Sequence, residues 1–167
     1  MDTEILDVVD AQDYVINQRP RNEIHALSLM HRAVHILLFN DKKQLLLQKR
    51  SLKKDQNKGL WDSSAAGHVD PGESYAACAD RELQEELGIS TELTPVFKLS
   101  ASPETGMEFV QVFFGQHTGP FVPAVDEIDE VQWLTIDEVN QQVACDEPTL
   151  TGSFKLIWRQ YLTTCPN

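Results

Sequence analysis

The hydrophobic and polar positions of the chain follow two different spacings, and each predicts a kind of secondary structure. Unbroken apolar runs rich in β-branched and aromatic residues predict strands. The clearest run covers residues 33–39, and a polar turn joins it to a returning strand at 44–49. Short runs on either side of residues 10–13 predict a small hairpin. Other predicted strands are residues 61–69, as a strand or extended segment, and residues 93–99, 107–116 and 131–134.

A spaced apolar stripe predicts the main helix, which runs from residue 75 to residue 87. Ser74 is placed to cap the start of this helix, and Gly88 is placed to end it. The apolar residues of the buried stripe would be Ala76, Ala79, Leu83 and Leu87. The glutamates of the same segment lie off that stripe, so we expect them to face a cleft.

Helices and strands are mixed along the chain without regular alternation. This order favours an α+β fold, or a layered α/β/α sandwich, over a doubly wound sheet. Two further helices are predicted, one at residues 136–144 and one from Thr151 or Ser153 to about residue 161. Residues 51–60 are predicted to form a polar surface loop, and residues 20–30 fit either a short helix or an irregular segment.

The length of 167 residues predicts one domain over residues 1–167, with residues 1–30 as an N-terminal extension that carries short strands. The chain has no apolar stretch of the roughly eighteen residues that a membrane span needs, so no membrane partner is expected. Its start lacks the basic and apolar regions of a signal peptide. The three cysteines form no zinc pattern, and reduced thiols in a cytoplasmic protein explain them most simply.

The net charge of −12 disfavours binding to a nucleic-acid duplex, because the surface would repel the phosphate backbone. The same charge would repel a small polyphosphate. A bound divalent cation and a few placed basic side chains would have to reverse the local potential.

Candidate chemistry is concentrated in residues 67–89, which read G-x5-E-x7-R-E-L-x-E-E-x-G-I. Because Glu82, Glu85 and Glu86 are three and four positions apart, a helix would place their carboxylates on one face. Such carboxylates repel one another unless a divalent cation lies among them, and attack on a phosphate commonly requires that cation. A solvated acidic helix face would explain Glu85 and Glu86, but not the upstream Gly-x5-Glu or the Arg-Glu pair.

These residues form a complete Nudix box, and the chain resembles the Nudix hydrolase superfamily. The resemblance implies a Nudix fold with a mixed β-sheet between helices, and it is compatible with a homodimer. It also implies hydrolysis of a diphosphate linkage in a nucleoside-diphosphate-type substrate by metal-activated water, with Mg²⁺, or else Mn²⁺, as the cofactor. The implied metal ligands are Glu82, Glu85, Glu86 and a backbone carbonyl near Ala66 or Gly67.

The resemblance also implies roles for further residues inside and outside the box. Glu82 is the first candidate for the general base and Glu108 the second. Glu73 and Arg81 are expected to form a bidentate pair that fixes the geometry of the box. Gly67 and Gly72 would permit tight turns, and Gly88 would end the helix. The candidate catalytic set is therefore Glu82, Glu85, Glu108 and Arg81.

The chain also resembles, more narrowly, the isopentenyl-diphosphate isomerase branch. The residues that carry this resemblance are 31–33, 38–40, 48–51, 59–62, 67–68 and Lys54. That enzyme is a Nudix relative with a cysteine before the Gly-His pair, whereas this chain has Ala66. Gly106 stands where a further carboxylate is expected. His25, His31, His68 and Glu108 lie near positions that serve the isomerase's metal site and catalytic carboxylate.

Three functions therefore remain open: an isomerase-like hydrolase, which Ala66 favours, an isopentenyl-diphosphate isomerase, and a non-catalytic nucleotide sensor. Arg50 and Lys54 are candidate contacts for the substrate phosphates, although a solvated loop would also explain lysines there. His31 and His68 could each be a metal ligand, a phosphate contact or a core histidine. The substrate itself is not predicted, because specificity depends on loop contacts that a sequence does not show.

Overall fold

The computed structural model of the chain describes residues 4–165. The strands are β1 (Ile5–Val9), β2 (Val15–Pro20), β3 (His31–Phe39), β4 (Leu45–Arg50), β5 (Trp61–Asp62), β6 (Ala65–His68), β7 (Thr94–Leu99), β8 (Glu108–Gln116) and β9 (Ile128–Leu134). The helices are α1 (Arg21–Leu27), α2 (Tyr75–Leu87), α3 (Ile136–Ala144) and α4 (Gly152–Thr164), with a 3₁₀ turn at Pro103–Thr105. None of the helices in the described residues combines the length and apolar character needed to cross a membrane.

Seven of the strands form one mixed sheet. At its centre, β3 runs parallel to β8, with His31 opposite Glu108. On its other side β3 is antiparallel to β6, with Ala33 opposite His68. β7 lies antiparallel to β8, and β4 carries β5 and β9 as antiparallel neighbours. The prediction of a mixed sheet is confirmed.

The sheet separates two hydrophobic cores. Leu38 of β3 belongs to the core that α2 covers with Leu83, and Leu37 belongs to the core that α4 covers with Trp158. Successive side chains of a strand point to opposite faces. A strand covered on both faces therefore reads as an unbroken apolar run, as residues 33–39 do. Helices on both sides of the sheet confirm the predicted α/β/α sandwich.

Helix α2 has the predicted bounds, because its ends are set by local rules. Ser74 accepts a hydrogen bond from the Ala77 amide at 3.0 Å, and Gly88 ends the helix with φ of 68°. The predicted stripe was wrong at Ala76, which lies in the first turn and stays exposed. It also missed Glu86, which lies on the buried face. An apolar stripe is covered only where the helix overlies the sheet.

The N-terminal residues form the predicted hairpin of β1 and β2, and the undecided segment after it is α1. Asp13, in the turn region, has φ of 67° and a nearly buried side chain. Its carboxylate accepts hydrogen bonds from Arg32 Nε at 2.7 Å and from the Tyr75 hydroxyl at 2.7 Å, and it also pairs with Lys98. The hairpin is thereby fastened to β3, to β7 and to the start of α2.

Candidate active site

A cleft of about 900 Å³ opens beside α2 and β6 and extends to α1 and to the loop after β4. Most of the predicted site residues line it, but His31, Gly72, Glu73 and Gly88 do not. The predicted residues in its wall are Arg50, Lys54, Gly67, His68, Arg81, Glu82, Glu85, Glu86 and Glu108.

Strand β6 and helix α2 approach each other closely at Gly67. A Cβ atom built on Gly67 would lie 2.1 Å from Cδ of Glu82 and 2.3 Å from its Oε1. No side chain fits at such a distance, so the Glu82 carboxylate lies directly against the backbone of β6. Gly72 has φ of 77°, which suits a tight turn where a residue with a side chain would be strained.

Arg81 holds the acidic groups of this wall in place. Its Nε donates to Glu73 Oε2 at 2.8 Å and its Nη2 to Glu73 Oε1 at 2.9 Å, a bidentate pair. Nη1 donates to Glu82 Oε1 at 2.9 Å and to Glu85 Oε2 at 3.2 Å. Nη2 also reaches the His68 carbonyl at 3.1 Å, so one guanidinium joins α2 to the strand and loop that precede it.

The three glutamates of α2 differ in environment. Glu86 is 6% exposed, and its Oε1 accepts hydrogen bonds from Gln48 Nε2 and the Ala66 amide, both at 3.0 Å. Burial, followed by repulsion from Glu82, raises the pKa of Glu86 to about 8. Burial also raises the pKa of Glu82 to about 7; the Arg81 charge opposes this shift and the Glu85 charge adds to it. Glu85 remains exposed.

A second cluster of titratable side chains forms where α1, β3, β6 and β8 meet. Parallel pairing of β3 with β8 places His31 beside Glu108, β6 adds His68, and α1 brings His25. The three imidazole centroids are 5.2 to 5.7 Å apart. Among the described residues, one group of three or more His, Cys, Asp or Glu side chains has all of its potential ligand atoms within 4.8 Å of one another, and it consists of these three histidines. The ligand atoms of Glu82, Glu85 and Glu86 are not all that close together.

Glu108 is the anionic partner of the histidines. Its Oε2 lies 2.9 Å from His68 Nε2 and 3.3 Å from His31 Nε2. Burial works against the charged form of Glu108, but the contacts with both histidines hold the pKa of this carboxyl well below its usual range. Burial likewise opposes a charged His68, but Glu108 and Glu4 raise the pKa of this imidazole to about 9.

His31 Nδ1 lies 2.9 Å from the Leu29 carbonyl. Its Nε2 is buried and lies 3.3 Å from Glu108 Oε2, but it makes no hydrogen bond among the described residues. A buried polar atom without a hydrogen bond is costly, and a metal ion bound there would satisfy this nitrogen.

The basic residues predicted to contact phosphate already have acidic or carbonyl partners. Lys54 pairs with Glu127. Arg50 Nε donates to the carbonyl of Gln56 at 3.1 Å, and its Nη1 lies 3.8 Å from Asp62 Oδ2. Both side chains line the cleft, but the sequence did not indicate these partners.

Four buried polar residues near the cleft were missed by the sequence analysis. Gln48 supports Glu86, and His35, Asp62 and Ser63 form a separate group beside Ala66. The available signal was the position of His35 in the middle of an otherwise apolar run, where a polar residue needs a partner.

Comparison with known proteins assigns this architecture to a family. The NUDIX domain model matches residues 29–151. The chain belongs to the NUDIX domain family. The predicted Nudix fold is confirmed. Membership supports an enzyme that acts on diphosphates with a divalent metal.

Individual relatives carry both predicted resemblances. The isopentenyl-diphosphate Delta-isomerase of Serratia proteamaculans is 34% identical over 161 residues, covering 93% of this chain and 90% of that protein. An uncharacterized Nudix hydrolase of Yersinia pestis is 35% identical over 147 residues, covering 87% and 80%. A crystal structure from Deinococcus radiodurans has a TM-score of 0.83 at 26% identity, covering 94% of this chain and 98% of the other. The predicted membership of an isomerase-like Nudix branch is thus confirmed.

Proposed function

We propose that the chain is a Mg²⁺-dependent Nudix hydrolase that cleaves the diphosphate linkage of a nucleoside-diphosphate-type substrate. The observation that carries this proposal is the wall of the cleft where Glu82 lies against Gly67 and Glu86 lies against Ala66. The carboxylates of this wall, together with the backbone carbonyl that the family resemblance implies near residue 67, would form an all-oxygen set of metal ligands.

These residues fit a hard cation. Mg²⁺ prefers oxygen ligands, and Glu82, Glu85, Glu86 and the Gly67 carbonyl would supply them. Glycine at position 67 is what keeps the space beside Glu82 free of a side chain. The chemistry that a bound Mg²⁺ supplies is polarisation of the phosphoryl oxygens and a lower pKa for water.

The protein's own groups would position the reactants and move one proton. Glu82 faces the cleft and is our candidate for accepting the proton of the attacking water. Glu108 suits this role less well, because His31 and His68 both contact its Oε2. Arg81 would act through Glu73 and Glu82, by keeping the carboxylates in register with β6.

A diphosphate panel tests the proposal. Nucleoside di- and triphosphates, dinucleoside polyphosphates, nucleotide sugars and coenzyme A are incubated with the purified chain and Mg²⁺ or Mn²⁺, and products are identified by mass spectrometry. Reaction in ¹⁸O water identifies the phosphorus that is attacked. We expect release of phosphate or a nucleotide from at least one class, with loss in Glu82→Gln or Glu85→Gln. Glu92→Gln is the matched control, because Glu92 is an exposed carboxylate outside the cleft. The absence of any turnover across the panel would overturn the proposal.

A second candidate function is the isomerisation of isopentenyl diphosphate. The cluster of His25, His31 and His68 with Glu108 favours it, since imidazole nitrogens suit a divalent transition metal and the buried His31 Nε2 makes no hydrogen bond among the described residues. Ala66 argues against it, because alanine provides no thiol for the proton transfer that the resemblance implies. Conversion of isopentenyl diphosphate to dimethylallyl diphosphate by the purified chain would establish this function in place of the first.

A further inference from the structure

His35 lies in the middle of β3, on the strand position opposite Ala66 of β6. It is 4% exposed and yet lines the cleft. Neither the Nudix box nor the histidine cluster includes it. A titratable ring buried at the wall of an active-site cleft needs a physical account.

The two ring nitrogens of His35 have different surroundings. Nδ1 lies 2.8 Å from Ser63 Oγ and 3.8 Å from Asp62 Oδ1. Nε2 makes no hydrogen bond to any residue that the structure describes. Among the described residues, however, the only fully buried side-chain nitrogen or oxygen atom without a hydrogen-bond partner is His31 Nε2. His35 Nε2 is therefore not fully buried, and the open space that the His35 side chain borders is the cleft.

Asp62 links this ring to a guanidinium. Its Oδ1 lies 3.8 Å from His35 Nδ1, and its Oδ2 lies 3.8 Å from Arg50 Nη1. The Ser63 amide donates to Asp62 Oδ1 at 2.8 Å, which fixes the orientation of the carboxylate. Asp62 is 5% exposed and borders the cleft together with Arg50 and His35, within ion-pair distance of both basic groups.

This group adjoins the glutamate wall through one residue. Ala66 faces His35 across the strand pair, and its amide donates to Glu86 Oε1 at 3.0 Å. Ala66, Glu82, Glu86, His35 and Arg50 all line the same cleft. A diphosphate held at the glutamates would therefore lie in the cleft that His35 and Arg50 also border.

We propose that His35 and Arg50 form a subsite for one phosphoryl group of the substrate, with His35 Nε2 as a hydrogen-bond donor and with Asp62 and Ser63 as positioning residues. The proposal rests on the proposed function for its substrate class, a diphosphate. It adds a binding residue that neither metal-ligand set contains.

Paired substitutions of His35 separate binding from a merely structural role. Asparagine places an amide where Nδ1 lies and can keep the Ser63 contact, whereas glutamine reaches the position of Nε2. We expect His35→Asn to weaken binding of methylenediphosphonate, measured calorimetrically with Mg²⁺, by roughly tenfold, because a hydrogen bond to a charged group is lost. His35→Gln should stay within about threefold of the wild type, since its amide can still donate. The reverse order, or equal binding by both variants, would overturn the subsite.

Two further measurements protect the test against loss of folding and against failure of the proposed function. His117→Asn is the matched control, since His117 lies outside the cleft and accepts a hydrogen bond from the Gly119 amide through Nδ1. In the wild type, methylenediphosphonate should shift the ¹⁵N resonance of His35 Nε2, and an unchanged resonance at saturation refutes the proposal. Neither readout needs turnover. Binding through His35 without hydrolysis of any substrate would therefore contradict the proposed function alone, and hydrolysis unaffected in His35→Asn would contradict the subsite alone.

Discussion

The glutamates of α2 and the histidine cluster are assembled in different ways. Glu82, Glu85 and Glu86 come from one helix, and two of them, Glu82 and Glu85, accept hydrogen bonds from Arg81. The histidines and Glu108 come from α1 and from three strands, and only the pairing of those strands brings them together. The first set is specified by local sequence and the second by sheet topology. They also differ in electrostatics: burial raises the pKa of Glu82, whereas imidazoles lower that of Glu108.

The largest expected effect is that of Glu82→Gln, which tests whether the glutamates rather than the histidines carry out the reaction. Glu82→Gln removes a carboxylate that we assign to both metal binding and proton transfer, so kcat should fall about 10³-fold. The measurement is steady-state hydrolysis of the best substrate of the panel, with thermal unfolding to verify that the variant folds. A change of less than about threefold, similar to that of Glu92→Gln, would mean that the glutamate set is not the reacting one.

Arg81→Lys tests whether one arginine organises the glutamate set. Lysine keeps the charge but loses the bidentate pair with Glu73, so we expect roughly a 10- to 100-fold loss of activity. The loss should be partly recovered at higher Mg²⁺ concentration, because Arg81 acts by orienting ligands. Activity measured over a Mg²⁺ titration checks this, and full activity at low Mg²⁺ would contradict it.

His25→Gln tests the independence of the two sets. We expect it to weaken Co²⁺ binding, followed by visible absorption, by roughly 10- to 100-fold, and to change hydrolysis less than tenfold. His117→Gln is the control for a histidine outside the cluster. If hydrolysis falls as far as in Glu82→Gln, the two sets work as one site and the comparison fails.

The smallest effect on catalysis is expected from a substitution of Asp13, which fastens the hairpin to β3, to β7 and to the start of α2. Contacts with Arg32, Lys98 and Tyr75 outweigh burial and lower the pKa of Asp13 from its ordinary 3.8. A carboxyl whose pKa is lower in the folded than in the unfolded protein stabilises the fold at pH values above the unfolded-state pKa. This stabilisation is lost as the pH falls from that value through the folded-state pKa. Asp13→Asn should cost about 1–3 kcal/mol at neutral pH and should flatten the loss of stability between about pH 5 and pH 2. Urea unfolding at a series of pH values measures this, and an acid dependence equal to that of the wild type would contradict it.

Features set by residues close together in the sequence could be predicted from it, whereas features set by strand pairing could not. The bounds of α2 follow from Ser74 and Gly88, and the Glu73–Arg81 pair follows from a contiguous motif. The contact of His31 with Glu108 depends on which strands pair. A family resemblance could indicate that these residues lie near one another, but not that His31 Nε2 is buried without a hydrogen bond. The burial of Glu86 was missed because its partners, Gln48 and Ala66, come from β4 and β6.

The parallel pairing of β3 with β8 has a consequence for folding. These strands are separated in the chain by the whole Nudix box and by β7, so their contact closes a long loop, which is entropically costly and slow. Helix α2, with local hydrogen bonds and its own caps, can form well before that step. The glutamates can therefore be aligned on α2 in a partly folded chain, whereas the histidine cluster forms only when the central sheet is complete. The ring resonances of these histidines in NMR refolding experiments, or the protection of β3 and β8 amides in pulsed hydrogen exchange, would thus report the last stage of folding.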